Sequence, residues 1–380
     1  MELLIERNIL YEALAYTSRA LSNQPNKPGA AAIRLKANGT AVVLSVGSRD
    51  QMVERLLKAS EDTAELLRII HEGEVAIPLR KFLELVKRLS GNIRIRVSEE
   101  GSISLKSSNT QARLIGFRET DQPHTPNMEG ARHAEMACNK LQDVIRRTVF
   151  AASLKQTQPA LTGVQLSFKA NQLECAATNS HRLALAWDTA IVWEPVSCIV
   201  PSSSLAELCR QLPKGKESVR ISITDKHVLF QTADLSFYSG LLGGRFPDVG
   251  SFLPQEAETV VLTDRLDLIR GLERACLFSD GQGRPAVVIG GSGSVRGIHL
   301  LSASSVEGRI EEYHPNAEIS GCLSFQYPFA GDFLLDALSA IDSQRVRLCF
   351  HGESKPVLLE PEGSADQLHL VSAVRVPSLQ

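Results

Sequence analysis

Short runs that alternate between apolar and polar residues, or are mostly apolar, recur three times along this 380-residue chain, and the second residue of each run is an arginine. The runs cover residues 93–97, 219–223 and 346–350. Arg220 follows Arg94 by 126 positions, and Arg347 follows Arg220 by 127. Short runs of this kind are typical of β-strands with at least one buried face. The pattern therefore predicts three equivalent strands, one in each of three long repeats.

A helical pattern with a proline near its start precedes each of these strands. Pro78 and Pro201 are 123 positions apart, and Pro201 and Pro328 are 127 apart. In the second of these helices Ser204 and Glu207 have capping-box spacing, which predicts the helix N-terminus at Ser204. An earlier helix is predicted in each repeat, over residues 7–21, 141–152 and 265–278. Each repeat therefore reads as helix, strands, helix, strands.

A period of about 125 residues indicates homologous domains and not a solenoid of short repeats. Turn-forming stretches at 121–127 and 243–250 mark the joints. We expect an α+β fold of three domains, at 1–126, 127–252 and 253–380, each with two helices packed on antiparallel sheets.

Five of the six predicted helices carry cations on their polar faces, whereas the sixth carries Asp332, Asp336 and Asp342. The expected default for any single helix is a solvated face, but five basic faces in a chain of net charge −2 are less easily explained in this way. Basic helices without a recognition motif suit sequence-independent contact with nucleic acid phosphates. The candidate DNA-facing residues are Arg19, Arg80, Lys81, Arg146, Arg147, Arg210, Arg270 and Arg274.

Composition narrows the class of protein. Hydrophobic residues make up 43% and charged residues 22%, as in ordinary globular proteins. The N-terminus lacks the apolar core of a signal peptide, and no stretch approaches the roughly 20 apolar residues of a membrane span. The seven cysteines are scattered, which suits reduced thiols. We therefore expect a cytoplasmic protein without membrane, metal or cofactor.

Two stretches resemble catalytic or phosphate-binding motifs. Residues 178–185, TNSHRLAL, bring a hydroxyl pair, an imidazole and a guanidinium together. Adjacent Ser180 and His181 would point to opposite faces of a strand, which disfavours a hydrolase that uses His181. The glycine-rich stretch 290–297 is followed by strand-like residues, so a hairpin turn is favoured over a phosphate loop, which needs a helix there.

Several motifs in the correct order resemble the bacterial DNA polymerase III beta-subunit family, the sliding clamps. TNSHRLA at 178–184 is similar to the family's T-D-[SG]-H-R-L-A loop, and GRFPD at 244–248 to its G-[RN]-[FY]-P-D linker. PALTGV at 159–164 resembles the entry to its second domain. Residues 355–357 and 371–375 stand where the family has its last strands.

This resemblance implies a non-catalytic processivity factor. It implies a ring-shaped, head-to-tail homodimer with twelve helices inside and sheets outside, which encircles double-stranded DNA and tethers polymerase. The implied partners are the DNA polymerase III alpha subunit, the clamp loader and other proteins with a clamp-binding peptide motif. Leu277 and Phe278 would lie at the dimer interface, although an ordinary core pair is an equal alternative for them.

The resemblance also implies a pocket for partner peptides between the second and third domains. Leu183, Val371 and Val374 would form its apolar floor, and Thr178, Ser180, His181 and Arg182 its polar rim. The full set of predicted residues adds Leu161, Pro247, Phe252, Phe333, Ser372 and Arg375.

The chain departs from the family pattern near this pocket. Asn179 replaces the loop aspartate, Ser372-Ala373 replaces an apolar residue and proline, and residues 376–380 extend the usual end. The loop 22–29 also lacks the usual entry motif. A divergent second clamp, serving repair or showing altered inhibitor binding, is therefore the alternative hypothesis.

Overall fold

The computed structural model describes residues 1–19, 32–48, 50–59, 66–98, 101–116, 125–254, 256–278 and 284–375. The loop 22–29, the C-terminal extension 376–380 and residues 121–124 of the first joint lie outside these ranges. The chain divides into two compact units, one of Met1–Asn139 with Glu207–Leu241 and one of Lys140–Ala206 with Leu242–Gln380.

Within the described residues, each repeat has the same order of elements: one strand, a helix, five strands, a second helix and three strands. The first contains β1 (Glu2–Glu6), α1 (Arg7–Ser18), β2 (Ala32–Asn38), β3 (Ala41–Gly47), β4 (Gln51–Lys58), β5 (Leu67–His71), β6 (Gly73–Pro78), α2 (Leu79–Arg88), β7 (Asn92–Val97), β8 (Ser102–Ser107) and β9 (Thr110–Ile115). The second contains β10 (Arg132–Ala137), α3 (Cys138–Arg146), β11 (Gly163–Lys169), β12 (Gln172–Thr178), β13 (Arg182–Thr189), β14 (Ile191–Val192), β15 (Val196–Pro201), α4 (Ser202–Gln211), β16 (Ser218–Ile223), β17 (His227–Gln231) and β18 (Leu235–Gly240). The third contains β19 (Thr259–Asp264), α5 (Arg265–Ala275), β20 (Ala286–Ser292), β21 (Val295–Ser304), β22 (Gly308–His314), β23 (Glu318–Gly321), β24 (Phe325–Ala330), α6 (Gly331–Ala340), β25 (Arg345–Phe350), β26 (Val357–Pro361) and β27 (Gln367–Val371).

The three arginine-containing runs are equivalent strands, as predicted. Each pairs antiparallel with the first strand of its own repeat: β7 with β1, β16 with β10, and β25 with β19. The register opposes Leu4 to Arg94, Glu135 to Arg220 and Leu262 to Arg347. The threefold repeat is therefore confirmed at the level of strand pairing.

Consecutive repeats share sheets. In the first unit a five-stranded sheet has the order β5-β1-β7-β8-β9, and a second sheet joins β10-β16-β17-β18 to β4-β3-β2-β6 through the pairing of β18 with β4. In the second unit a nine-stranded sheet has the order β15-β11-β12-β13-β27-β26-β25-β19-β23, and a four-stranded sheet the order β22-β21-β20-β24. Because hydrogen-bonded sheets run from one repeat into the next, compactness alone does not separate the repeats, and the predicted boundaries at 126 and 252 stay a prediction.

The helices bury their apolar faces against these sheets. Leu10 and Leu14 of α1 and Phe82 and Val86 of α2 are fully buried in the core of the first repeat. In the third repeat, the core contains Leu268 and Leu272 of α5 with Phe333 and Leu334 of α6. This burial leaves the opposite helix faces for charged residues.

Several bounds of the predicted helices are wrong; α5, for example, ends at Ala275 and not at residue 278. Helix α3 ends at Arg146 and not at residue 152. The Thr148 N–H donates to the Ile145 carbonyl at 3.1 Å, an i→i−3 bond that tightens the last turn, and a 3₁₀ turn, Val149–Ala151, follows. Helix α4 begins at Ser202, not at Ser204. The Glu207 carboxylate accepts hydrogen bonds from Arg210 and Gln211.

Candidate functional site

Strands β12 and β13 form a hairpin whose turn is the centre of the TNSHRLAL stretch. The Asn179 Oδ1 atom accepts hydrogen bonds from the backbone N–H groups of His181 and Arg182, both at 3.0 Å. Ser180 occupies the left-handed region with φ +74°. Ser180 and His181 therefore lie in a turn, and the expectation that they alternate along a strand is wrong. The family's aspartate would provide the same acceptor oxygen, so the substitution by Asn179 preserves the turn.

The hairpin pairs with the last strand of the chain. Strand β13 is antiparallel to β27, with Leu183 opposite Leu370 and Arg182 opposite Val371. The Ser372 N–H then donates to the His181 carbonyl at 2.9 Å. This pairing brings residues of the second and third repeats, about 190 positions apart, to one surface.

A pocket of about 400 Å³ opens on this surface. Its wall combines apolar side chains with hydroxyl groups and one guanidinium, an arrangement suited to binding a peptide. The lining residues are Thr178, Ser180, Arg182, Leu183, Pro247, Phe252, Pro356, Leu370 and Ser372. Seven of these nine were predicted from the sequence.

The predicted apolar floor is partly wrong. Val371 is buried in the core of the third repeat and Val374 packs against the same core, so neither lines the pocket. Adjacent side chains on a strand point to opposite faces, and it is Leu370 that faces the pocket beside Leu183. Alternation along β27 places Leu370 and Val371 on opposite faces, but which of them faces the pocket depends on the register between β13 and β27. Pro356 was quoted for the family resemblance but not assigned to the site.

Four other predicted residues do not line the pocket. Leu161 is buried in the small apolar cluster behind Leu183 and Leu370. His181 is exposed and contributes its backbone carbonyl to Ser372. Phe333 is buried in α6, and Arg375 is exposed at the end of the described chain.

Arg182 is part of the wall and not a free polar group at the rim. Its side chain is 11% exposed. The guanidinium donates to the Asp336 carboxylate and to the Phe150 carbonyl, and its Cζ atom lies 4.4 Å from the centroid of the Phe333 ring. Its charge is therefore already compensated by residues of the protein itself.

The predicted DNA-facing cations differ in whether they form ion pairs within the protein. Arg80, Lys81 and Arg270 are exposed, and the Arg19 guanidinium lies 5.1 Å from the centroid of the Tyr16 ring. Arg146, Arg210 and Arg274 form ion pairs with Asp342, Glu207 and Glu312.

Arg147 does not face outward as predicted. It follows the last residue of α3, its side chain is 14% exposed, and it pairs with Asp366 at 2.7 Å. The helical spacing that placed it beside Arg146 does not extend past the end of the helix.

The acidic helix α6 is largely neutralised by arginines. Asp332 pairs with Arg284 and Asp336 with Arg182. Asp342, which was predicted on this helix but follows its end at Ala340, pairs with Arg146. Three carboxylates that would repel a phosphate backbone are therefore each matched by a cation.

Leu277 is 72% exposed, which removes the core alternative for this residue. Helix α5 ends at Ala275, so Leu277 and Phe278 lie just beyond it. Phe278 is half-buried, and its carbonyl accepts a hydrogen bond from the Ser302 hydroxyl at 2.9 Å.

The remaining candidate chemistry is structural. The glycine-rich stretch 290–297 forms the hairpin between β20 and β21, with Ser292 opposite Val295, as predicted. Within the described residues no group of three or more His, Cys, Asp or Glu side chains is placed to hold a metal ion. None of the described helices is long and apolar enough to cross a membrane.

This chain is similar to known proteins over nearly its whole length. Models of the N-terminal, central and C-terminal domains of the DNA polymerase III beta subunit match residues 1–126, 135–248 and 250–375. The chain belongs to this family. The beta sliding clamp of Bacillus subtilis is 29% identical over 99% of this chain and 100% of its own length, and that of Staphylococcus aureus is 28% identical over 99% of each chain. A crystal structure of the Bacillus subtilis DNA polymerase sliding clamp superposes with a TM-score of 0.94 at 27% identity, covering 99% of this chain and 100% of that one.

The protein is therefore a three-domain α+β DNA sliding clamp. Sliding clamps of this family are non-catalytic processivity subunits of DNA polymerase III.

Proposed function

We propose that the pocket beside the β12–β13 hairpin binds a short linear peptide of the DNA polymerase III alpha subunit, the clamp loader and other clamp-binding proteins. The observation that carries this proposal is the convergence of Leu183, Leu370 and Phe252 with hydroxyl groups around about 400 Å³. Apolar walls with a few polar groups hold a peptide by anchor side chains and orient its backbone. Phe252 is 55% exposed, which leaves its ring available to a ligand.

A labelled hexapeptide with two leucine anchors tests this assignment by fluorescence anisotropy. Phe252→Ala removes an exposed ring, so we expect unchanged thermal stability and an affinity lower by about tenfold, the size of one good apolar contact. Leu154→Ala is the matched control, because Leu154 is 95% exposed and does not line the pocket. Equal affinities of both variants would contradict the assignment.

We propose further that the protein encircles double-stranded DNA without reading its sequence. The exposed Arg80 and Lys81 of α2 support this, because salt-sensitive attraction to phosphates permits sliding. The clamp should be retained on circular DNA after loading and lost when the circle is linearised. Arg80→Ala/Lys81→Ala should lower the salt dependence of DNA binding by about two phosphate contacts. Loss from intact circles as fast as from linear DNA contradicts encirclement.

The head-to-tail homodimer has support from two sheet edges. Strands β9 and β22 are each the last strand of their sheets, and open edges pair readily with another chain. Exposed Arg113 lies on β9 and exposed Glu311 on β22, so the two edges carry complementary charges. Exposed Leu277 follows α5, the helix that reaches β22 through the Arg274–Glu312 ion pair.

Sedimentation at micromolar concentration tests the dimer. The mass should be twice 41.4 kDa. Leu277→Asp should shift the population to monomer, whereas Leu154→Asp, at a side chain of the second repeat that is 95% exposed, should not. A monomeric wild-type protein contradicts the ring.

The seven free cysteines support a reducing compartment, which we take to be the cytoplasm. The alternative role, a divergent second clamp with altered partner or inhibitor binding, has its support in Ser372, which lines the pocket where the family usually has other residues. Binding to peptides from repair polymerases, without binding to the alpha-subunit peptide, would favour this alternative.

A further inference from the structure

Arg182 brings a positive charge into the wall of the pocket but offers little of it to a ligand. At 11% exposure, its side chain has lost most of its contact with water. A guanidinium in such a place needs a counter-charge, since burying an uncompensated charge is costly. The Asp336 carboxylate supplies this charge, and the Phe150 carbonyl accepts a second N–H group.

Asp336 reaches Arg182 from outside the pocket. It belongs to α6, its side chain is 51% exposed, and it does not line the pocket. The guanidinium is also enclosed by the rings of Phe333 and Phe150, whose centroids lie 4.4 Å and 5.3 Å from its Cζ atom. Within the described residues, the Nε atom of Arg182 has no hydrogen-bond partner, and Asp336 is the carboxylate that pairs with its guanidinium.

The other eight residues of the pocket wall are uncharged. Its one cation, Arg182, is compensated by Asp336 from outside the pocket. Without that carboxylate, the same wall would contain one buried, uncompensated cation.

We infer that Asp336 determines the specificity of the peptide pocket by neutralising Arg182, so that the pocket accepts uncharged apolar anchors and rejects acidic ones. This inference rests on the proposed peptide-binding function. An acidic anchor would have to displace Asp336 and give up its own hydration, whereas an apolar anchor displaces only water. Asp336 is a positioning residue, because it acts on the ligand through Arg182.

Two labelled hexapeptides distinguish these cases: one with two leucine anchors, and one with a glutamate in place of the second leucine. Wild-type protein should prefer the leucine peptide by about tenfold or more, and its affinity should change less than about twofold between roughly 50 mM and 500 mM salt. In Asp336→Asn the glutamate peptide should gain about five- to tenfold in affinity, and this gain should be lost at high salt.

Three further variants separate charge compensation from general damage. Asp336→Glu keeps the carboxylate and should keep the wild-type preference. Asp342→Asn removes a carboxylate that pairs with Arg146, away from the pocket, and should also behave as wild type. The double variant Arg182→Gln/Asp336→Asn removes both charges and should restore the preference for leucine even if Asp336→Asn alone is poorly folded.

The inference is overturned if wild-type protein binds the glutamate peptide as well as the leucine peptide. It is also overturned if Asp336→Asn leaves the ratio of affinities unchanged while Phe252→Ala weakens binding of both peptides. Failure of the proposed function itself has a different signature, since Phe252→Ala would then leave the leucine peptide unaffected in the wild-type background.

Discussion

The side-chain oxygen of Asn179 accepts a hydrogen bond from the Arg182 N–H at 3.0 Å, and the Arg182 carbonyl accepts one from the Asn179 N–H at 3.3 Å. This reciprocal pair closes the turn between β12 and β13. It fixes where Arg182 enters β13 and therefore where its guanidinium meets Asp336.

Replacing Asn179 tests how much this turn contributes. Asn179→Ala removes the acceptor for two N–H groups and should lower the free energy of unfolding by about 1 kcal/mol. It should also weaken binding of the leucine hexapeptide, because the turn that positions Arg182 in the pocket wall loses these hydrogen bonds. Asn179→Asp keeps an acceptor oxygen and should differ from wild type by less than about 0.5 kcal/mol in urea unfolding. Equal loss in both variants would show that the amide N–H₂ group matters instead.

His369 should make stability depend on pH. Burial, with a smaller contribution from the positive charge of Arg147, lowers the pKa of this imidazole from 6.5 to about 3. Between these values the unfolded chain binds a proton that the folded chain does not, so stability is full above pH 6.5 and falls as the pH falls. The expected slope is about 1.4 kcal/mol per pH unit.

Urea unfolding at a series of pH values between 7.5 and 4.5 measures this slope. His369→Leu should flatten it by removing the titrating group. His181→Gln, at an exposed histidine, should leave it as in wild type. A steep slope that persists in His369→Leu would assign the dependence to other groups.

Substitution by alanine should destabilise the protein at one glycine near the β20–β21 hairpin and leave its stability unchanged at another. Gly297 has φ +93°, and a Cβ atom there would lie 2.2 Å from the His314 carbonyl oxygen. Gly297→Ala should therefore destabilise the protein by about 2 kcal/mol or more, through backbone strain and a clash with rigid main chain. Gly293→Ala, where a Cβ would meet nothing within 4 Å, should be near neutral in thermal unfolding. Equal melting temperatures of the two variants would contradict this packing.

The thiols should differ in reactivity. Cys322 is exposed, whereas burial raises the pKa of Cys198 to about 12 and that of Cys138 to about 11. Because the thiolate is the reactive form, an alkylating reagent at pH 8 should label Cys322 first in the folded protein. Mass spectrometry of tryptic peptides identifies the labelled residue, and Cys322→Ser should remove the early label. Early labelling of Cys198 would show that β15 opens in the native state.

Much of the architecture could be predicted from the chain alone. The spacing of Arg94, Arg220 and Arg347 identified three equivalent strands, since period-two alternation is a local property of the backbone. Helix ends were less accurate, as at α3 and α4. The sequence pattern does not specify the side-chain hydrogen bonds near these ends. Examples are the bond from the Thr148 hydroxyl to the Val144 carbonyl and the bond from Arg210 to the Glu207 carboxylate.

The sequence predicted most of the residues that line the pocket, but not which side chains of β27 face it. Thr178, Ser180 and Leu183 follow from a motif within one hairpin. Which of Leu370 and Val371 faces the pocket depends on the register between β13 and β27, and these strands come from repeats far apart in the chain. A shift of one residue in that register would exchange their faces.

The sequence by itself determined the threefold repeat, the family and the chemical types of residue around the peptide site, because periodicity and motifs are written along the chain. Only the tertiary structure decided which charged side chains form ion pairs with one another. The sequence gives no ion-pair partner for Arg182, which follows His181, or for Asp336 on its helix. Only the packing of α6 against the hairpin brings these two together, because the fold excludes water from the guanidinium and makes a carboxylate 154 positions away its counter-charge.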